Sequence, residues 1–239
     1  MSVFVGTATT RDFPPAYLSS LIYLNKPEKM YFDLVTNAPP DMGKNILLER
    51  AMKHQDIDFF CLVDSDASLH PNTLLRLVKH NLPVVTACIY TRAFPPVPTI
   101  GWHEGVNPKG HHVYNFGRTI QEIRKWAKKN QLDMDAPNEI AMQTIHGEEL
   151  MEIDGCGSHC ILIRRDVLEA IGGNWFQCTG LLSGEDFDFC RKVKQVGFTI
   201  FADLGCHTGH VVGNTMILGI KQFIMFYDGI VRQQELWEV

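Results

Sequence analysis

The sequence predicts an α/β domain with a mostly parallel central sheet flanked by helices. Three observations carry this. Over the first ninety residues, short apolar runs alternate with stretches of helical spacing. One run, Phe59 to Val63, is apolar at every position, as in a strand buried on both faces. The chain has 239 residues, 45% hydrophobic and 21% charged, enough for one large core without staples.

The elements follow in order. "SVFVGTATT" opens with a short strand ending at Gly6-Thr7, and "PPAYLSSLIYL" has helical spacing with Pro15 near its start. "KMYFDLVTN" is a second strand, stopped by Ala38-Pro39-Pro40, and "GKNILLERAMKHQ" a second helix. "FFCLVD" is a third strand, "HPNTLLRLVKHN" a helix beginning at Pro71, and "PVVTACIYTR" a fourth strand. Residues 93–152 change character, rich at first in Pro, Gly, His and aromatics, and read as an insertion or acceptor-side segment. "LMEIDGCGSHCILIRRDVLEAIGG" then gives strand, Gly-rich turn, strand and helix. "GEDFDFCRKVKQVGF" is a helix, and "TIFADLGCHTGHVV" a last strand and loop. The tail from Asn214 is apolar at helical spacing and reads as a packed terminal helix.

Composition narrows the classes. Net charge is −5 and the pI about 6.0, so no basic face is demanded and non-specific nucleic-acid binding is disfavoured. The seven cysteines include Cys61, Cys88 and Cys190 inside apolar runs. They read as free buried thiols of a reducing compartment, hence a cytoplasmic protein. Cys156 and Cys160 lack a second pair at zinc-site spacing. There is no signal-peptide pattern at the N-terminus, and no apolar run reaches the roughly 18 residues of a membrane span.

Three features carry chemistry. The apolar strand runs into Asp64-Ser65-Asp66, and ligands of open α/β sheets bind beyond the carboxyl ends of the strands. Two adjacent carboxylates repel unless a proton or cation lies between them, and Mg²⁺ or Mn²⁺ with phosphate oxygens satisfies that need. The plain alternative is a helix cap beside a solvated acid. Next, Glu185 and Asp186 sit at a helix start, where the dipole alone favours acids. Gly180 and Gly184 before them suggest a loop that approaches a substrate closely, and a carboxylate there can act as general base. Last, His207 and His210 follow the final strand, and either can ligate a metal. Trp102, His103 and Trp175 are candidates for acceptor contact or for core.

In that order these motifs resemble the GT-A (Rossmann-like) glycosyltransferases, especially the family-2-like group. The resemblance covers most of the chain and is weakest over residues 93–152. It implies one GT-A domain over residues 1–239: a nucleotide-binding half (1–92), a variable insertion (93–152) and an acceptor or catalytic half with a C-terminal helix (153–239). It implies transfer of a sugar from a nucleotide-diphosphate sugar to an acceptor hydroxyl on a glycan, protein or other compound. In this reading Asp66 binds Mn²⁺ or Mg²⁺, Asp64 faces the ribose or the metal, and His210 is the third ligand ahead of His207. Asp186 is the general base of an inverting reaction, with Glu185 the runner-up. Gly6 and Thr7 lie under the nucleoside base, Arg50 contacts base or phosphate, and Gly155 and Gly157 let backbone amides reach the donor sugar. Asn37 stands where the group often carries an acid after its second strand, which leaves the donor base open.

Two rival readings share the scaffold: a nucleotidyltransferase and a non-catalytic nucleotide-sugar-binding module. The first needs a Gly-rich loop with Lys or Arg near the first strand, where "GTATTRD" has only Arg11. A nucleic-acid acceptor stays open but not favoured, with "IRKWAKKN" as the basic row to examine.

Overall fold

Strands and helices alternate through the first half of the chain, as the apolar pattern requires. The computed structural model describes residues 1–10, 12–131, 149–178, 184–213 and 216–227. β1 (Ser2–Thr9), α1 (Pro15–Tyr23), β2 (Lys29–Thr36), α2 (Pro40–Ala51) and β3 (Phe59–Val63) come first. A proline opens each of these helices, where its missing N–H is no loss. A two-residue strand, β4 (Ala67–Ser68), precedes α3 (Thr73–Lys79) and β5 (Val84–Cys88). The hairpin β6 (Ile100–Val106) and β7 (His112–Asn115) leads to α4 (Gly117–Lys129) and β8 (Leu150–Ile153). Then come β9 (Gly155–Cys156), β10 (Cys160–Arg164), α5 (Arg165–Ile171) and α6 (Glu185–Gln195). β11 (Ile200–His207), β12 (Gly209–Val212) and β13 (Met216–Leu218) follow, and residues 220–227 are helical.

The main sheet has seven strands in the order β2-β1-β3-β10-β5-β11-β8. β1 pairs parallel with β2 and β3, and β5 parallel with β11. β10 runs antiparallel between β3 and β5, and β8 runs antiparallel beside β11. β1, β2, β3, β5 and β11 therefore share one direction, and the sheet is mixed but mostly parallel. β3, β5 and nearly all of β10 are buried, which explains the unbroken apolar run of β3 and the mostly apolar sequences of the other two. Phe60 and Leu62 face a layer that includes Leu47, Trp126 and Phe189, while Phe59, Cys61 and Val63 face Leu74 and Leu77 on the other side. Two small three-stranded sheets, β13-β12-β4 and β7-β6-β9, frame the carboxyl end of β3 and the start of α6.

Several expectations are corrected. β1 runs on to Thr9 rather than ending at Gly6-Thr7. Residues 93–152 hold a hairpin, a helix and most of β8, the edge strand of the main sheet. The loop expected at "HTGHVV" is β12, paired with β4 and β13. The tail is not one helix from Asn214, because Met216–Leu218 is a strand. Gly209 admits that strand, since a Cβ there would lie 2.4 Å from Ile217 Cγ2. Val231 of the expected helix lies outside the described residues.

The rim of the sheet is tied by Asp203, fully buried where β11 bulges between Asp203 and His207. It accepts hydrogen bonds from Arg76 Nε (2.5 Å) and Nη2 (2.7 Å) and from His80 Nε2 (2.7 Å). Burial pushes its pKa up, but Arg76 and His80 outweigh burial and hold it below the usual carboxylate range. A depressed folded pKa gives stability that is present above the unfolded value, about 3.9, and lost as pH falls toward the folded one. Asp203→Asn should lower unfolding free energy by about 3–5 kcal/mol at neutral pH, read by urea denaturation. The gap between variant and wild type should narrow below about pH 4.

Candidate active site at the carboxyl end of β3

Asp64 is the first residue past β3, and its position follows from the strand that lies alongside. Cys160, first in β10, pairs with Val63, last in β3. The residues just before β10 are thereby brought to the tip of β3, and Asp64 N–H donates to His159 O (2.9 Å). β12 approaches from the other side: His210 pairs with Ala67, and Val211 N–H donates to Asp66 O (2.8 Å). Asp64, Asp66, His159 and His210 come together in this way from three separate stretches of sequence.

Asp66, His159 and His210 each offer a ligand atom, and these atoms lie within 4.8 Å of one another. The imidazoles are oriented by backbone. His159 Nε2 donates to Gly209 O (3.4 Å) and His210 Nδ1 donates to Tyr90 O (2.8 Å). Carbonyl oxygens only accept, so the protons sit on those nitrogens. The lone pairs of His159 Nδ1 and His210 Nε2 are left toward Asp66 Oδ1, each 3.6 Å away. Such backbone-fixed tautomers are the usual support of metal-ligating histidines. Burial pushes His159 below the ordinary histidine range despite the pull of Asp64, which keeps the ring neutral at pH 7. Asp64 and Asp66 are both held below the usual range although burial opposes their charge, and for Asp64 the Lys44 ammonium outweighs that burial. Electron-pair donors and carboxylates converging this closely need a cation among them.

Two cations reach the cluster. Arg92 is ion-paired to Asp66, and its Nε donates to His210 Nε2 (2.7 Å). Lys44, in the first turns of α2, is only 3% exposed. Its Nζ lies 2.8 Å from Asp186 Oδ1, 3.0 Å from Glu185 Oε1 and 3.8 Å from Asp64 Oδ1, and it bonds Ser158 Oγ. Burial works against the ammonium, but the fields of Asp186, Asp64 and Glu185 prevail and keep it charged. Ser158 Oγ also donates to Asp186 Oδ1. Between these groups lies a polar cavity of about 280 Å³, reached by Thr9, Thr10, Lys44, Asp64, Asp66, Arg92 and Glu185.

No family model and no curated protein sequence matches the chain. Solved structures do. A197 from STIV matches with a TM-score of 0.57 at 12% identity, over 93% of this chain and 92% of that one. The structure of GalNAc-T7 with UDP, GalNAc and Mn²⁺ matches at 0.56 and 10% identity, over 94% of this chain and 47% of that one. This chain spans about half of GalNAc-T7. S. aureus TarS 1-349 matches over 84% of this chain and 58% of that one, at 0.45 and 14% identity. The chain has the GT-A fold.

Within the GT-A domain, the residues singled out from sequence divide. Asp64, Asp66, Glu185 and Asp186 converge as expected in position, and His210 joins them. His207 does not: it is fully buried, bonded to Tyr90 Oη (2.9 Å) and packed on Trp126. Gly6 and Thr7 lie inside β1, where a Cβ on Gly6 would strike Phe4 and Thr7 Oγ1 bonds Tyr17 Oη, so the cleft takes Thr9 and Thr10 instead. Arg50 is half-exposed and pairs with Asp33 (3.2 Å), away from the cleft. Gly155 packs against the Phe187 and Tyr114 rings, which a Cβ there would strike. Gly157 does border the site, passing close to Thr99 with Asp186 Oδ2 3.9 Å from its missing Cβ. Gly184 has φ −60°, open to any residue, and Gly180 and Arg11 lie outside the described residues. Trp175 is core, while Trp102 stacks on Arg118 at 4.2 Å and His103 meets His112 (2.9 Å) on the hairpin. The basic row of "IRKWAKKN" surrounds a buried stripe of Ile123, Trp126 and Ala127 on α4.

Four residues escaped the sequence reading: Lys44, Arg92, Ser158 and His159. The available signal for two of them was the polar pair Ser158-His159 directly before an all-apolar strand. For Lys44 it was Gly43, whose missing Cβ lets α2 close onto Ala8. Lys44→Met should leave three carboxylates facing one another without their shared cation. The expected loss is about 3–5 kcal/mol of unfolding free energy by denaturant titration.

Proposed function

We propose that this GT-A domain transfers a sugar from a nucleotide-diphosphate sugar to an acceptor hydroxyl, and that Asp66, His159 and His210 hold a divalent cation for it. The observation that carries the reading is the convergence of two backbone-oriented imidazoles on Asp66, a carboxylate that lines the polar cleft. The donor set fits Mn²⁺ better than Mg²⁺, since Mg²⁺ prefers oxygen ligands. A bound cation supplies Lewis-acid stabilisation of the departing diphosphate. GalNAc-T7, which shares the fold, was solved with UDP, GalNAc and Mn²⁺.

The protein's own groups do the rest. Asp64, between the cation ligands and Lys44, faces the ribose or joins the metal. Thr9 and Thr10, at the end of β1, line the cleft on the nucleoside side. Asp186 is the general base of an inverting transfer. Its Oδ1 is held by Lys44 and Ser158, which leaves Oδ2 to take the acceptor proton. Glu185, on the same ammonium, shares the negative field and is the second candidate. The exposed hairpin with Trp102 and His103 is a surface for the acceptor.

Thermal shift with UDP- and GDP-sugars, with and without Mn²⁺, tests the reading. A stabilisation that needs both sugar nucleotide and metal is expected, and Asp66→Ala and His210→Ala should abolish it. A nucleotide shift of equal size without metal counts against the metal site. Asp186→Asn should keep the shift while lowering donor turnover by about 10²–10⁴-fold. Unchanged turnover in that variant removes Asp186 as the base. Binding without turnover in the wild type favours the non-catalytic module.

A further inference from the structure

Arg92 makes two bonds that bear on the cation. Its guanidinium is ion-paired to Asp66, and its Nε donates to His210 Nε2 at 2.7 Å. His210 Nδ1 carries the proton given to Tyr90 O, so Nε2 has a single lone pair. That lone pair cannot serve an Arg92 N–H and a metal ion together. Arg92 and a divalent cation are therefore exclusive at His210 Nε2, whereas at Asp66 the guanidinium pairs with Oδ2 and the imidazoles face Oδ1.

The backbone around Arg92 is independently fixed. Thr91 N–H donates to Val97 O (2.8 Å), Val97 N–H to Thr91 Oγ1 (3.0 Å) and Thr99 N–H to Ile89 O (3.0 Å). The side chain is 46% exposed and borders the polar cleft. Its exposure leaves solvent-filled space beside it, and its loop is held at the rim of the cleft. A planar guanidinium at that rim matches the bidentate demands of phosphate oxygens.

We propose that Arg92 is an exchangeable cation: it neutralises Asp66 and caps His210 until a divalent cation displaces it, and it then binds a phosphate of the donor. This rests on the metal-dependent reading above and adds the residue that couples metal entry to donor entry. Metal alone must expel Arg92 from a charge-assisted pair. Donor nucleotide gives the expelled guanidinium a new anionic partner, so each ligand favours the other.

The test uses Mn²⁺ alone, then Mn²⁺ with UDP, on the full chain. Free Mn²⁺ is read by electron paramagnetic resonance for wild type, Arg92→Gln, Arg92→Ala and Asp66→Ala, with thermal melts to confirm folding. Without nucleotide, both Arg92 variants should bind Mn²⁺ about tenfold more tightly than wild type, the scale of one charge-assisted hydrogen bond. At saturating Mn²⁺ they should bind UDP about tenfold more weakly. Asp66→Ala should lose Mn²⁺ binding. If the Arg92 variants bind Mn²⁺ no more tightly than wild type, the exchange is wrong while the metal site stands. Undiminished UDP affinity in them overturns the phosphate role. If wild type and both Arg92 variants bind no Mn²⁺, the exchange and the metal reading fail together.

Discussion

The ammonium of Lys44 is the interaction on which the rest of this site depends. It lies inside the protein within 4 Å of the carboxylate just past β3 and of those of the first two residues of α6. Helix α2 carries it there, and Ser158 fixes it from the turn before β10. Without a positive charge at this point, Asp64, Glu185 and Asp186 would repel one another across a region of low dielectric. With it, four segments far apart in sequence are drawn to one place. The helix dipole of α6 adds to the same field, since its N-terminus points at its own acids. The electrostatic design is a shared counter-ion, and the cleft is shaped around it.

The fold was readable because local patterns agree with it. "FFCLV" is apolar throughout and "VVTAC" is interrupted only by Thr86, and both are internal strands of the main sheet. Pro15 marks a helix start where proline is tolerated, while Pro40, expected only to stop the second strand, opens α2. What could not be read was strand direction. "CILIR" has the composition of any buried strand, and nothing local says that it enters between β3 and β5 in the opposite sense. That choice depends on non-local pairing. Similarly, Met216–Leu218 satisfies helical spacing equally well, and it becomes a strand because Gly209 leaves a gap that Ile217 fills.

Legibility of the site followed the same division. Acids at a strand end and at a helix start can be recognised from position, so Asp64, Asp66, Glu185 and Asp186 were found. His159 depends on the antiparallel entry of β10, and it went unnoticed for that reason. His207 and His210 sit three residues apart in one motif, yet one is core and the other meets Asp66, because β11 ends at His207 and His210 lies on β12 in a different sheet. Basic partners were the least visible. Lys44 and Arg92 have no motif, and their meaning comes from the acids they face.

The turn before β10 has a mechanical consequence. Ser158 reaches the Lys44–Asp186 group, and His159 reaches Asp66 and His210. These two residues are joined by a single peptide unit, about 3.8 Å between Cα atoms. The two halves of the cleft are therefore geared to each other by one rigid link, not by a flexible loop. A backbone shift that carries His159 away from Asp66 therefore also carries Ser158, whose hydroxyl bonds Lys44 and Asp186.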